Sequence, residues 1–319
     1  MLRRSIRPLS CALLLFGAAG LGAVQAAPIA EKERIDLWPA AGASDGGDRV
    51  TERSRDPTRP DRIIEDVRRP YLAVHVPAQP NGAALLVVPG GGYARVVLDK
   101  EGSALVPAFV DIGGVTLFVL HYRLPDRRHA EGADAPLADA QRALRIIRAR
   151  ARDHGIDPAR IGVMGFSAGG HVAARLATHP APAYVPVDAI DLVDARPDFA
   201  LLIYPVISMR DGLAHAGSRD RLVAASDTPA ERALARLSPE RDVDARTPPL
   251  FLLHAQDDPA VPVGNALAMH AAALVAGVPA SLHVFPTGGH GFGVRDAHGP
   301  LARWPHLALD WIDSLPPRP

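Results

Sequence analysis

The sequence predicts a doubly wound α/β domain, in which helices cover both faces of a mostly parallel sheet. Short and continuous apolar segments recur along the chain, as strands that are buried on both faces require. Longer segments with apolar residues at helical spacing separate them, so strand and helix alternate. No repeat of about 20 to 50 residues, which would indicate a solenoid, is visible.

The predicted strands are apolar runs that stop at glycine, proline or polar residues. The second run ends at a glycine-rich turn, residues 89–92, and the fourth ends just before a second glycine-rich turn. The predicted strands are residues 71–76, 83–88, 115–121, 161–166, 199–204, 250–254 and 281–285.

The predicted helices lie between these strands. The first begins with Pro136 and places Ala140, Leu144 and Ile147 on one face. Residues 205–247 interrupt the alternation, and we expect them to form a small cap over the carboxyl edge of the sheet, where they would shape a substrate pocket. The predicted helices are residues 136–154, 168–178, 263–276 and 300–314.

Residues 1–26 have the pattern of a secretory signal peptide. Three arginines precede an apolar stretch at residues 11–24, and small residues then lead to a cleavage position after Ala26. The stretch is short and glycine-rich, which favours a cleaved signal over the alternative, a membrane anchor. We therefore expect export to the periplasm or the medium, a lead segment at residues 27–70 and a catalytic domain at residues 71–319.

The composition excludes several classes of protein. The chain has 319 residues, of which 48% are hydrophobic and 22% charged, as is ordinary for a globular domain. Its formal net charge of zero falls to −3 without the three signal-segment arginines, and no basic stripe is present, so nucleic acid is not an expected partner; no stable membrane association is expected either. Cys11, the only cysteine, lies in the signal segment, so no disulfide is expected.

No tight metal-binding spacing is present, and we expect neither a metal nor a cofactor. The oligomeric state is left open.

The strongest local motif is Gly-Phe-Ser-Ala-Gly at residues 165–169, between a predicted strand and a predicted helix. In that context, a G-x-S-x-G sequence places the serine on a sharp turn with its hydroxyl group exposed at the sheet edge. The helix N-terminus also directs free amides towards developing negative charge. The motif predicts Ser167 as a nucleophile.

A serine nucleophile needs a base, and the base needs an acid that orients it. His290 is the predicted base, because glycines flank it in a loop after the last strand; His283 and His298 are the alternatives. Asp258 is the predicted acid, at the end of the strand over residues 250–254, with Asp257 as the alternative.

The turn at residues 89–92 falls where an oxyanion-binding loop is expected. Such a site needs backbone amides that approach the substrate closely, which glycine permits. We expect the amides of Gly90, Gly91 and Ala168 to bind the oxyanion, and Gly92 and Tyr93 to contact the substrate.

Other polar groups near these motifs have secondary roles. Arg95 and the Glu101-Gly102 pair follow the glycine turn and could line the site. His171, one turn into the helix after Ser167, is expected to brace the turn rather than react.

Taken together, these motifs resemble a bacterial family of α/β-hydrolase esterases, the acetylxylan-esterase-like and feruloyl-esterase-like (BD-FAE-like) group. The resemblance covers roughly residues 71–313 and implies an α/β-hydrolase fold and an ester hydrolase, often acting on acetylated sugars. It leaves the lead segment unexplained. It rests on the residues at 89–93, 101–102, 121–125, 139–143, 155–158, 165–171, 257–259 and 289–293.

The resemblance implies a secreted serine esterase that removes acetyl or similar short acyl groups from carbohydrate esters without a cofactor. A general carboxylesterase and a feruloyl-type esterase are the nearest alternatives, since the acyl and alcohol specificity cannot be read from the motifs. A prolyl-peptidase-like hydrolase would carry a large additional domain, for which the chain has no room. A scaffold used only for binding would lack one of the three catalytic residues, and all three are present.

Overall fold

The structure, a computed structural model, describes residues 33–39 and 48–316 of the 319-residue chain. The predicted signal peptide at residues 1–26 lies outside the described residues. Within the described ranges, no helix has both the length and the apolar character needed to cross a membrane.

The described residues form eleven strands in two sheets. Most of them coincide with the predicted apolar runs to within two residues at either end. In chain order, the strands are β1 (Glu33–Asp36), β2 (Val50–Glu52), β3 (Arg62–Ile64), β4 (Tyr71–His75), β5 (Ala84–Val88), β6 (Val96–Val97), β7 (Thr116–His121), β8 (Ile161–Phe166), β9 (Ala200–Ile203), β10 (Leu250–Ala255) and β11 (Ala280–Phe285).

The main sheet has eight strands in the spatial order β1, β4, β7, β5, β8, β9, β10, β11. Neighbours from β7 to β11 are parallel, whereas β4 runs antiparallel to both β1 and β7. Strands β5, β8, β9 and β10 are buried along their whole length, which explains their continuous apolar sequences. The predicted fold class is confirmed. Val88 pairs with Gly165, so β5 and β8 end at the same edge of the sheet.

Helices cover both faces of this sheet. On one face, α1, α2 and α5 contribute Leu144, Val172 and Met269 to a buried apolar cluster. On the other face, Trp304 of α6 packs with Phe109 in a second cluster. The six α-helices of the described residues are α1 (Ala135–Ala149), α2 (Ser167–Thr178), α3 (Ala216–Ala224), α4 (Ala230–Arg236), α5 (Gly264–Val275) and α6 (Trp304–Ser314).

Two parts of the fold were not predicted. The lead segment contributes β1 to the edge of the main sheet and β2 and β3 to a small three-stranded sheet with β6. These strands have only three or four residues each, and β1 and β3 pair with strands outside the lead segment, β4 and β6. A helical segment also follows β6, a 3-10 turn at Ser103–Leu105 and a π-helical turn at Pro107–Ile112. Its Phe109 is fully buried under α6.

The insertion at residues 205–247 contains α3 and α4 and rejoins the sheet at β10. Asn265 of α5, itself fully buried, fixes the start of this segment. Its side-chain oxygen accepts from the amides of Ile207 and Ser208 at 2.9 Å each, and its side-chain nitrogen donates to the Leu213 carbonyl at 2.8 Å. The insertion is therefore tied to the body of the domain by polar contacts as well as by packing.

Candidate active site

Ser167 lies at a sharp turn between β8 and α2. It is the first residue of α2, and its φ of +51° places a non-glycine residue in the left-handed region. A Cβ atom on Gly169 would come within 2.1 Å of the Val88 carbonyl oxygen, so glycine is required for α2 to lie this close to β5. The turn places Ser167 at the carboxyl edge of the sheet, as the motif predicted.

Three side chains from separate segments form a hydrogen-bonded series. Ser167 Oγ lies 2.8 Å from His290 Nε2, and His290 Nδ1 lies 2.7 Å from Asp258 Oδ2. The Asp258 side chain is fully buried, whereas 22% of the His290 side chain is exposed. When Nδ1 carries the proton that is donated to Asp258, Nε2 can accept the hydroxyl proton of Ser167. The structure thus brings together the residues predicted as nucleophile, base and acid.

Several donors hold Asp258 as an anion. Its Oδ1 accepts from the amides of Ala260 at 2.9 Å and Val261 at 2.8 Å, and His254 Nε2 lies 3.3 Å from its Oδ2. Burial favours the neutral acid, but hydrogen bonds from His254, His290 and Val261 outweigh it and hold the pKa of Asp258 well below its usual value. A carboxylate in this state can orient the imidazole and stabilise its protonated form.

The alternative residues lie elsewhere. Asp257 Oδ1 accepts from the Gly289 amide at 2.8 Å, so it ties together the loops that carry the acid and the histidine. His283 lies in β11, where its ring nitrogen is 3.0 Å from the hydroxyl group of the serine two residues earlier. His298 directly precedes the 3-10 turn at Gly299–Arg303.

In the glycine turn after β5, the structure corrects the role predicted for the Gly90 amide. The amide of Gly90, expected to face an oxyanion, is occupied, because it donates to Glu101 Oε2 at 2.7 Å. Within the described residues, the amides of Gly91 and Gly92 have no acceptor, and the φ of +134° at Gly91 favours glycine. The amide of Ala168, in the first turn of α2, also lacks an intrahelical acceptor. The available donors are therefore shifted one residue along the turn from the prediction.

A buried acid links the glycine turn to the loop that carries His290. Glu101 is 5% exposed, and its other carboxylate oxygen accepts from the Tyr204 hydroxyl at 2.9 Å. The Tyr204 oxygen accepts in turn from the Gly293 amide at 3.2 Å, and its ring lies edge-on to His290, with centroids 5.1 Å apart. Burial raises the pKa of Glu101, while the hydrogen bonds from Gly90 and Tyr204 act in the opposite direction. The sequence had placed Glu101 near the site but had missed Tyr204.

Tyr93, predicted to contact substrate, is turned into the protein. It is 3% exposed, and its hydroxyl group lies 2.6 Å from His171 Nδ1. His171 Nε2 lies 2.7 Å from the Leu237 carbonyl, so the neutral ring donates at Nε2 and accepts at Nδ1. Burial lowers the pKa of His171 to about 3. The polar end of Tyr93 therefore supports α2, and His171 links the residue after the glycine turn to Leu237 rather than contacting the nucleophile turn through a hydrogen bond.

His215 is a neighbour of the site that sequence reasoning missed. Its Cε1 atom would lie 3.5 Å from a Cβ atom on Gly92, which places the start of α3 beside the glycine turn. Its Nδ1 accepts from the Ser218 amide at 3.2 Å, so the neutral ring carries its proton on Nε2. Burial, together with the nearby His290, lowers the pKa of His215. No motif surrounds this residue in the sequence, and only the folding of the insertion reveals its position.

Among residues 33–39 and 48–316, no three or more His, Cys, Asp or Glu side chains are grouped so that they could hold a metal ion. The chemistry available from the residues that the structure brings together is that of a hydroxyl group, an imidazole, a buried carboxylate and free backbone amides.

The fold and the site together define the class of protein: the chain is an α/β hydrolase of the serine-esterase type. Within this class, the BD-FAE family model matches residues 72–273, more than half of the chain, and the chain belongs to this family. The resemblance predicted from the motifs is thereby confirmed.

Two curated relatives are similar to this chain in sequence. An acetylxylan esterase of Xylanibacter ruminicola is 32% identical over 259 residues, which cover 79% of this chain and 50% of the relative. Endo-1,4-beta-xylanase B of Butyrivibrio fibrisolvens is 35% identical over 218 residues, which cover 66% of this chain and 33% of the relative. The chain thus spans half of the length of the first relative and a third of the second.

Two solved structures align with this chain. An acetyl ester-xyloside bifunctional hydrolase from Caldicellulosiruptor lactoaceticus aligns with a TM-score of 0.71 and 34% identity, over 88% of this chain and 96% of its own. The carboxylesterase Cest-2923 from Lactobacillus plantarum aligns with a TM-score of 0.61 and 23% identity, which supports the fold alone.

Proposed function

We propose that the protein is an exported serine carboxylic-ester hydrolase that removes acetyl groups from carbohydrate esters. The observation that carries the proposal is the 2.8 Å contact between Ser167 Oγ and His290 Nε2, in series with the 2.7 Å contact to Asp258. Similar proteins named as an acetylxylan esterase and an acetyl ester-xyloside hydrolase support an acetylated sugar as the substrate. The signal-peptide pattern of residues 1–26 supports export.

In the first half of the reaction, Ser167 Oγ attacks the ester carbonyl carbon while His290 Nε2 takes the hydroxyl proton. The carbonyl oxygen becomes an oxyanion, to which the amides of Gly91, Gly92 and Ala168 donate. The intermediate then collapses: the bond to the alcohol oxygen breaks, His290 protonates the leaving alcohol, and the acetyl group stays on the serine.

In the second half, water attacks the acetyl-serine ester and His290 takes its proton. The same amides stabilise the second oxyanion, and acetic acid leaves as His290 returns the proton to Ser167 Oγ; the acid then ionises in solution. Asp258 stays ionised throughout and stabilises the imidazolium in both halves. This sequence of steps needs no cofactor.

Substitution of Ser167 by alanine tests the mechanism. Turnover of p-nitrophenyl acetate by the mature protein should fall by several orders of magnitude, because no nucleophile remains to form the acyl-enzyme. Initial rates of the wild type and Ser167→Ala measure the effect. Ester hydrolysis at near-normal rate by the variant would refute the mechanism.

The two neighbouring aspartates offer a matched pair for the assignment of the acid. Asp258→Asn should lower kcat by roughly 10⁴-fold, because an amide cannot stabilise the imidazolium or enforce its tautomer. Asp257→Asn should lower kcat less than about tenfold, since the hydrogen-bond partner of its side chain within the described residues is the Gly289 amide, which an asparagine oxygen can still accept from. Equal losses in the two variants would contradict the assignment.

A panel of esters tests the substrate class. Fast acetate release from acetylated xylo-oligosaccharide, with little activity on p-nitrophenyl octanoate, would support the proposal. Activity on octanoate or methyl ferulate but not on the acetylated sugar would leave a general or feruloyl-type esterase. Cleavage of a prolyl-peptide amide would indicate a peptidase.

A further inference from the structure

A polar groove lies beside the glycine turn. It encloses about 350 Å³, and its walls come from the lead segment, the loop after β7, the residues that follow the glycine turn, and α3. Tyr93 and Ala94 form part of its lining and directly follow Gly92, whose amide lacks an acceptor within the described residues. The groove therefore begins next to the place where the oxyanion is proposed to bind.

The groove carries charges of both signs. Glu65, Asp66 and Asp126 contribute acidic groups, and Arg128 and Arg221 contribute basic ones. Asp126 is paired with Arg128 at 2.7 Å and Asp66 with Arg68 at 3.0 Å, so little net charge is left. A site for an anion or a cation would concentrate one sign of charge. This mixture instead suits a neutral ligand with many hydroxyl groups, each of which can both donate and accept a hydrogen bond.

Two lining side chains have free hydrogen-bonding capacity. Burial lowers the pKa of His129, so its half-buried ring is neutral and offers one donor and one acceptor. The hydrogen bonds of His129 within the described residues are made by its backbone, whose amide donates to the Asp126 carbonyl, and leave the ring without a hydrogen-bond partner there. Arg221 is exposed and uses one guanidinium nitrogen to donate to the Gly217 carbonyl at 2.8 Å, which leaves further N–H groups directed to solvent.

Helix α3 connects the groove to the site. Its first turn starts at His215, next to Gly92, and Arg221 follows six residues later on the same helix. At 1.5 Å per residue, this separation corresponds to roughly 9 Å along the helix axis. A contact with Arg221 is therefore expected from the sugar part of the ester rather than from the acetyl group at Ser167.

We propose that this groove binds the saccharide part of the ester substrate, with Arg221, His129 and Asp66 as hydrogen-bonding partners of the sugar hydroxyl groups. The proposal rests on the proposed function, since it assigns the alcohol side of the same reaction. It assigns substrate preference to the lead segment and to α3, two parts of the chain outside the serine, histidine and glycine motifs.

The test compares two substrates in Arg221→Ala and His129→Ala variants. The measured quantity is kcat/KM on acetylated xylotriose divided by kcat/KM on p-nitrophenyl acetate, which has no sugar. The ratio should fall at least about tenfold in Arg221→Ala, mainly through KM, because a hydrogen bond from a charged group is lost. His129→Ala should lower the ratio about threefold to tenfold.

Arg246→Ala is the matched control. Arg246 is an exposed arginine before β10, paired with Asp244 and outside the groove. Its removal should leave the ratio within twofold of the wild type. Thermal unfolding of each variant verifies that the fold is intact.

The outcomes separate the two proposals. If the wild type deacetylates xylotriose and both groove variants keep the ratio within twofold, the groove assignment fails and the proposed function stands. If the wild type hydrolyses p-nitrophenyl acetate but releases no acetate from any sugar ester, both fail. A fall in the ratio in both groove variants, but not in Arg246→Ala, supports the groove as the saccharide site.

Discussion

Backbone strain at single residues marks the site. Within the described parts of the chain, three non-glycine residues have positive φ: Tyr93, Ser167 and Tyr204. All three border the glycine turn or the nucleophile turn, and each such conformation costs about 1–3 kcal/mol. Buried hydrogen bonds hold them in place, from Tyr93 to His171 and from Tyr204 to Glu101. At this scale, the geometry of the site depends on buried hydrogen bonds made by side chains outside the Ser167–His290–Asp258 series.

Glu101 is the residue whose positioning role can be measured most directly. Glu101→Leu should lower kcat on p-nitrophenyl acetate about 10²-fold with little change in KM, because the freed Gly90 amide lets the neighbouring donors shift out of line. Glu101→Gln should recover most of the loss, since its side-chain oxygen can still accept from Gly90. Steady-state kinetics of both variants measure the effect.

Two results would argue against this role for Glu101. A loss confined to KM would mean that Glu101 affects ground-state binding rather than the oxyanion donors. A glutamine variant as poor as the leucine variant would mean that the negative charge, and not the hydrogen bond, is what matters. Tyr204→Phe is the companion variant, because it removes the donor to Glu101 and keeps the ring against His290.

At the scale of secondary-structure elements, the insertion at residues 205–247 depends on one helix of the core. Asn265 of α5 fixes its first residues, and Leu237 at the end of α4 accepts from His171 of α2. These contacts hold α3 so that His215 lies beside Gly92. The cap and the nucleophile helix therefore behave as one packed unit.

Asn265→Ala should destabilise the protein by about 2–4 kcal/mol, because the buried amides of Ile207 and Ser208 lose their acceptor. It should also raise KM, since α3 is released. Urea unfolding and steady-state kinetics measure the two effects.

Asn81 provides the comparison for Asn265. Its side chain also bonds to the backbone, through two hydrogen bonds, but it is exposed, so water can replace them. Asn81→Ala should therefore cost about 1 kcal/mol and leave KM unaffected. Similar unfolding costs for the two variants would show that Asn265 does not fix the insertion.

At the scale of the whole molecule, buried neutral histidines link stability to pH. Burial lowers the pKa of His121 and of His171 to about 3 each, although they lie in different elements, β7 and α2. In the unfolded chain, the pKa of histidine is about 6.5. The unfolded state therefore binds more protons than the folded state between these values, and acid favours unfolding.

The free energy of unfolding should be highest above about pH 6.5 and should decrease as the pH falls towards 3. Each of the two histidines contributes a slope of up to about 1.4 kcal/mol per pH unit in this window. Urea unfolding at pH 8, 6, 5 and 4 measures the slope. His121→Phe keeps a ring against Tyr71 and removes one titrating group. It should therefore reduce the slope of the unfolding free energy against pH by the contribution of one bound proton. Equal stability at pH 7 and pH 5 would contradict the expectation.

Much of the fold and part of the site were readable from the sequence, because the features that specify them are local. A strand buried on both faces needs a continuous apolar run, and a serine on a sharp turn needs glycines at fixed spacing. Each of these requirements is satisfied within a few consecutive residues. The order of strands and helices and the candidates Ser167 and His290 followed from such patterns.

Tertiary structure alone decided the features that depend on contacts between distant segments. Gly90 and Gly92 look alike in sequence, but Glu101 occupies the Gly90 amide and leaves the later ones free. Asp258 and Asp257 are neighbours, and only the approach of the histidine loop distinguishes them. Two short strands of the lead segment, β1 and β3, likewise depend on partners elsewhere in the chain, β4 and β6. The physical reason is that a hydrogen bond depends on where both partners lie, and a local pattern specifies only one of them.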